Sequence, residues 1–254
     1  STGSNNSFVG INAGYKNTGG NLNTFLGSNA GYNNTGSWNS FIGSYAGYFN
    51  TTGNYNSFLG YEAGYSNTTG NYNSFLGYQA GYSNNTGNYT SFLGYQAAYS
   101  NSGCYNTFLG DLAGYENIAG WGNVFLGYRA GNFETGSNRL YIANSSTTSP
   151  LIYGEFDNRI VAVNGKLGVG TAAPLQALHV QGAPGGTALL FRAAPSTDAA
   201  VFIEVANNAT DTANLRFLRG GVTHWVISDA PSDDSLRIAT TKNGTNLVMS
   251  SVGD

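Results

Sequence analysis

The residues of this chain best placed to do chemistry are rings rather than acids or bases. Leu22, Trp38, Tyr55, Tyr72, Tyr89 and Tyr105 recur at a near-constant spacing, and a second series runs through Tyr15, Tyr32, Tyr48, Tyr65, Tyr82, Tyr99 and Tyr115. Rings flanked by Asn and Thr suit sugars, which offer apolar C–H faces and hydroxyl edges together. The chemistry implied is non-covalent glycan binding, with Trp38, Tyr55, Tyr72, Tyr89 and Tyr105 as the expected contact column. The same rings also serve to rigidify a coil edge or to close gaps between chains.

Catalytic constellations are missing from the sequence. The only two histidines, His179 and His224, are far apart, no Gly-x-Ser-x-Gly elbow occurs, and no carboxylate pair is placed together by spacing. Gly168-Val169-Gly170 lacks the Gly-Lys-Ser/Thr and the following helix of a phosphate loop. No cofactor and no metal is therefore expected. Asp229, Asp233 and Asp234 around Pro231 read as a solvated acidic turn, with a calcium site as the alternative. Cys104 stands alone where other repeats carry Asn or Ser, and it has no nearby His to activate it. Charged residues make up 9 %, ten basic against thirteen acidic, which excludes the basic face of a nucleic-acid binder. No membrane insertion is expected, since no transmembrane run is visible.

These rings are carried by one sentence written eight times. Its phenylalanines are Phe8, Phe25, Phe41, Phe58, Phe75, Phe92, Phe108 and Phe125, spaced by 16 or 17 residues. So regular a period predicts a solenoid. Abundant Gly, Asn and Thr, with apolar positions recurring at two rather than three and four, argue against helix. Each unit is read as two short strands, Asn-Ser-Phe-Leu-Gly and Tyr-x-Ala-Gly-Tyr, closed by an Asn-Thr-Thr-Gly corner. Stacked at roughly 4.8 Å, eight coils make a rod of about 38 Å.

The first strand is apolar on both faces. If the Phe row fills the coil interior, then Val9, Leu26, Ile42, Leu59, Leu76, Leu93, Leu109 and Leu126 lie outside it and require a partner. A homotrimer burying three such rows along one axis is the economical answer. The residue four after each Phe, mostly polar, is read as an outward column. Asn two before each Phe (Asn6, Asn23, Asn39, Asn56, Asn73, Asn106, Asn123, with Thr90 the exception) predicts a structural amide ladder. Sequons such as those at Asn50, Asn67 and Asn88 are read as turn chemistry rather than glycan attachment.

Asn-Ser-Phe-Leu-Gly followed by Ala-Gly resembles the head repeats of trimeric autotransporter adhesins (the YadA-like head), which implies a left-handed trimeric β-roll over residues 1 to about 136. The Asn-Thr-Thr-Gly corners also resemble repeats in fibres of phages and phage-tail-like injection systems. Leu140-Tyr141-Ile142-Ala143-Asn144, Pro150 to Phe156, Leu167-Gly168-Val169-Gly170-Thr171 and Leu178-His179-Val180 look like tail-fibre shaft segments. In that family such segments often precede a self-trimming chaperone, and nothing resembling it is present here. Two departures stand out: Ala98 replaces the second Gly of an Ala-Gly pair, and Asn132 replaces the final Tyr.

The expected organisation is all-β: a trimeric parallel β-solenoid over 1–136, a β-prism or hairpin connector over 137–182 and a small all-β module over 183–254. Strand candidates in that last module run Ala188 to Ala193, Ala200 to Ala206, Asn214 to Leu218, His224 to Ser228, Ser235 to Thr240 and Leu247 to Ser250. Because Ser1-Thr2-Gly3 reads as the tail of a corner, a longer parent chain is expected. The expected function is a non-enzymatic trimeric fibre segment, outside a cell or on a virion-like particle, that attaches to a receptor through glycans and acts as a rigid spacer. The runner-up is a purely structural extracellular filament subunit, and a polysaccharide-degrading fibre enzyme comes third.

Overall fold

The computed structural model describes residues 3–181 and the backbone of four further strands between residues 214 and 250. The chain divides into two compact units, Ser1–Gln181 and Gly182–Asp254. The described residues are all-β and contain no helix.

The first unit opens with eight three-residue strands, one per repeat: β1 (Ser7–Val9), β2 (Thr24–Leu26), β3 (Ser40–Ile42), β4 (Ser57–Leu59), β5 (Ser74–Leu76), β6 (Ser91–Leu93), β7 (Thr107–Leu109) and β8 (Val124–Leu126). Each pairs in parallel with the next and in register, so Phe lies on Phe and aliphatic on aliphatic. This is the parallel β-solenoid read from the period. The Phe rings stack at 4.5–5.1 Å. From Phe25 to Phe125 they are fully buried, together with the Ala five residues on. Burying a Phe side chain contributes about 2–3 kcal/mol, so the interior row is the main source of cohesion.

The second expected strand does not form. Tyr-x-Ala-Gly-Tyr is instead a run of left-handed turns, because Glu62 (φ 54°) and Gly64 (φ 59°) both take positive φ. Hydrogen bonds from Tyr65 N to Glu62 O (3.2 Å) and from Asn67 N to Gly64 O (3.0 Å) close two of these turns. Coil-to-coil pairing continues through them nonetheless, as in Gly64 N to Ala80 O at 2.9 Å. Here glycine is the unstrained choice: a Cβ on Gly64 would overlap the Phe58 ring.

Two buried Asn rows tie the coils together. In the row expected from the sequence, the side chains bond up the stack mainly to backbone of the next coil rather than to one another. Asn56 Oδ1 accepts from Asn73 N (3.0 Å), and Asn56 Nδ2 donates to Gly70 O (2.8 Å). The amide-on-amide ladder lies in a second row at the corner, where Asn50 Nδ2 donates to Asn34 Oδ1 (2.6 Å) and Asn67 Nδ2 to Asn50 Oδ1 (2.7 Å). Asn50 and Asn67 are wholly buried, which favours turn chemistry over glycan attachment at those sequons. Coils of 16 and 17 residues differ only at this corner, as in Asn34-Thr35-Gly36 against Asn50-Thr51-Thr52-Gly53.

The sheet outlasts the repeats. β9 (Arg139–Ile142) adds in parallel to β8, and β10 (Ile152–Glu155) and β11 (Ile160–Val163) add antiparallel, giving eleven strands in sequence order. Register is kept through the change, so Leu126, Ile142, Ile152 and Val163 are successive partners. Tyr141 caps the Phe stack edge-on to Phe125 at 5.4 Å, and its hydroxyl donates to Glu134 Oε2 at 2.7 Å. Arg139 bridges to Glu155 at 3.2 Å. β12 (Leu167–Val169) and β13 (Leu178–Val180) form a separate parallel pair.

In the second unit, β14 (Asn214–Arg219), β15 (Val222–Asp229), β16 (Ser235–Thr240) and β17 (Asn246–Ser250) form an antiparallel meander with Phe217 opposite Trp225. These are four of the strands expected there. The candidates at 188–193 and 200–206 lie outside the described residues, as do Asp233 and Asp234 of the possible calcium turn.

Candidate functional site

The expected contact column occupies a strained backbone position. Trp38, Tyr55, Tyr72, Tyr89 and Tyr105 all take φ between 56° and 60°. For a bulky residue this region costs about 1–2 kcal/mol. The same position is held by Asn5, Gly122 and Asn138 towards the ends of the stack, residue types that adopt it readily. Leu22 holds it too, at φ 57°, so the turn recurs in every coil and in the middle the chain keeps rings there at a cost.

Its geometry differs from open sugar-binding faces. The rings stack on one another at 4.8–5.4 Å with planes within 5°. Each face is covered by the neighbouring ring, so what reaches solvent is a ribbon of edges and phenol hydroxyls, about half exposed. Beyond Tyr105 the column continues with Gly122, and before Trp38 with Leu22, so the open end is at Tyr105. Beside it, Asn54, Asn71 and Asn88 form a polar rail in which each backbone N–H donates to the side chain one coil on, for example Asn54 N to Asn71 Oδ1 at 2.8 Å. At Asn88 that acceptor is Cys104 Sγ (3.3 Å), so the lone cysteine substitutes in a structural rail.

The second tyrosine series also stacks, for example Tyr65 on Tyr82 and Tyr82 on Tyr99 at 4.9 Å each, and from Tyr32 to Tyr115 it is half-buried. Burial, and then neighbouring charges, hold the Tyr65, Tyr82 and Tyr99 hydroxyls above the usual phenol range.

A third aromatic column went unread in the sequence. Tyr61, Tyr78 and Tyr95, three residues after Phe, stack at 5.4 and 5.2 Å. Between it and the second series runs a bonded row in which Gln96 Nε2 donates to Gln79 Oε1 and Gln79 Nε2 to Glu62 Oε2, both at 2.7 Å. Hydrogen bonding to Glu62, and then its charge, raises the Tyr61 hydroxyl. The outward column is thus a polar floor with aromatic walls. Its signal in the sequence was the run Leu-Gly-Tyr in four repeats, interrupted by Asp111.

The aliphatic row stands outside the coil. Leu59, Leu76, Leu93 and Leu109 are 43–47 % exposed although each is paired in the sheet. Next to them, Ser40, Ser57 and Ser74 leave shallow grooves against Ile42, Leu59 and Leu76. At the far end a cleft of about 660 Å³ opens between Leu126, Ile142, Leu151 and Asn164.

Among the described residues, no group of three or more His, Cys, Asp or Glu is placed to hold a metal ion. No described helix is long and apolar enough to cross a membrane. Compared with known proteins, the chain matches no protein-family model and no curated protein.

Proposed function

We propose that this chain is a segment of a non-enzymatic homotrimeric fibre, displayed outside a cell or on a virion-like particle, that attaches to glycans on a surface and spaces what lies beyond it. The observation that carries the reading is the aliphatic row. An unbroken line of Val, Leu and Ile from Val9 to Val163 runs along the outer face of an eleven-strand sheet. At about 25 cal/mol per Å2 of buried apolar surface, a line of this length favours association strongly. Three copies placing it on a common axis leave the Tyr and Trp columns on the outside. Many weak contacts repeated along three chains then give attachment by avidity.

The mutual stacking of the rings favours a second reading, a purely structural filament subunit whose columns stiffen the rod. Light scattering on the purified segment and a glycan array on the same sample separate the two. A trimer that retains particular sugars supports the adhesive fibre, and a trimer that retains none supports the structural one. A stable monomer overturns both.

A further inference from the structure

Resting on the glycan-attachment reading, the geometry points to one discrete sugar subsite, a slot where the third tyrosine column loses a rung: we infer that Tyr95, Asp111 and Tyr128 bind a single neutral pyranose residue.

Tyr95 stacks on Tyr78 on one side only, at 5.2 Å. On its other side the next coil supplies Asp111 instead of a ring, and the coil after that supplies Tyr128. Both tyrosines are about half exposed. Tyr128 has no ring partner among the described residues and is flanked instead by the Arg129 guanidinium at 5.3 Å. Two coil spacings of roughly 4.8 Å put the Tyr95 and Tyr128 positions about 10 Å apart along the stack. Aromatic stacking operates at centroid distances of about 4.5–7 Å. One saturated ring therefore matches this spacing, with a C–H face towards the open side of Tyr95.

The missing rung also leaves polar groups that a sugar needs. Asp111 Oδ1 accepts from Tyr95 N at 2.8 Å, which draws the carboxylate back against the coil and clears the slot. Its second oxygen has no partner, and Asp111 has no ion pair among the described residues. One coil earlier, the Gln79–Gln96 row ends with Gln96 Oε1 as an unused acceptor, because Leu112 follows it in the column. Two adjacent acceptors suit neighbouring sugar hydroxyls, both of which donate. The exposed charge at this position fits a column that faces water.

The test uses the whole chain, the variants Asp111→Ala, Tyr95→Ala and Tyr72→Ala, and saturation-transfer NMR with methyl glycosides of glucose, galactose, mannose and N-acetylglucosamine. Tetramethylammonium serves as a cationic control. The slot predicts that one glycoside binds wild type, that Asp111→Ala and Tyr95→Ala weaken it about tenfold or more, and that Tyr72→Ala changes it less than about twofold. Binding lost in Tyr72→Ala but kept in Asp111→Ala overturns the slot and retains glycan attachment. No binding by any glycoside overturns both. Binding of tetramethylammonium alone overturns the sugar in favour of a cation.

Discussion

The Phe92 and Phe108 rings are tilted by 21°, whereas every other Phe–Phe pair in the interior row lies within 10° of parallel. The cause sits six residues after Phe92. In the equivalent position of the other coils a Cβ would overlap the Phe ring, and Ala98 carries that Cβ at φ 52°. Ala98→Gly removes both the overlap and the left-handed strain, so it should stabilise by about 1 kcal/mol and raise Tm by roughly 2–4 °C. Gly64→Ala should do the reverse. Thermal unfolding followed by circular dichroism reads both, and a lower Tm for Ala98→Gly would contradict the account.

Thr90 creates a second defect in the same coil. Asn39 and Asn73 reach Asn34 Oδ1 and Asn67 Oδ1 at 3.1 and 3.2 Å, but Thr90 has no amide to give Asn84 Oδ1. Asn101 turns away as well, donating to Asn117 Oδ1 at 3.0 Å, so Asn84 Oδ1 and Asn101 Oδ1 are both buried without a donor. Thr90→Asn supplies one donor. Its expected effect is a gain of about 1 kcal/mol in denaturant unfolding, against a loss of about 2 kcal/mol or more for Asn56→Ala, which removes three buried bonds.

Association should depend on residues beyond the repeats. Ile142 and Ile152 continue the aliphatic row through the antiparallel strands. A charge at either position, as in Ile142→Asp or Ile152→Asp, should weaken self-association about as much as Leu76→Asp does. Sedimentation at a series of concentrations measures it. A shift for Leu76→Asp alone would confine the contact to the repeats.

Alkaline pH should loosen the stack through its tyrosines. Tyr141 is raised well above its ordinary 10.0, by burial first and then by its bond to Glu134, and Tyr61, Tyr65, Tyr82 and Tyr99 are raised too. The folded state therefore holds these protons more tightly than the unfolded chain. Their contribution is complete below the unfolded tyrosine value and is lost as pH rises through the folded ones. Unfolding midpoints from about pH 9 to about pH 12 should fall, and Tyr141→Phe should flatten part of the decline. Glu155 has the opposite sign: bonds from Tyr153 and Asn158 lower it, so its contribution fades as pH falls through its folded value.

The sequence reveals the solenoid because period and in-register stacking are the same fact. Phe58 and Leu59 point to opposite faces by strand geometry alone, which separates interior from exterior without coordinates. What it hid was local conformation. Glu62 and Tyr72 adopt left-handed φ although their types disfavour it, since the coil must turn there whatever residue it carries, and at Glu62 strand was therefore expected where a turn formed. The ring faces were hidden for a related reason. Spacing told which tyrosines align, but not that alignment at one coil per ring consumes both faces. Asp111 was visible as an interruption only once Tyr61, Tyr78 and Tyr95 were seen to form a column.

The corner that varies between Asn-Thr-Gly and Asn-Thr-Thr-Gly has a practical use. Because one residue can be added or removed there while Phe, Leu and Asn stay aligned above and below, chain length is decoupled from stacking at that point. Thr51 and Thr52 are exposed on it. Foreign peptides grafted between them would emerge from consecutive coils at intervals of roughly 4.8 Å, turning the rod into a display rack with a molecular pitch.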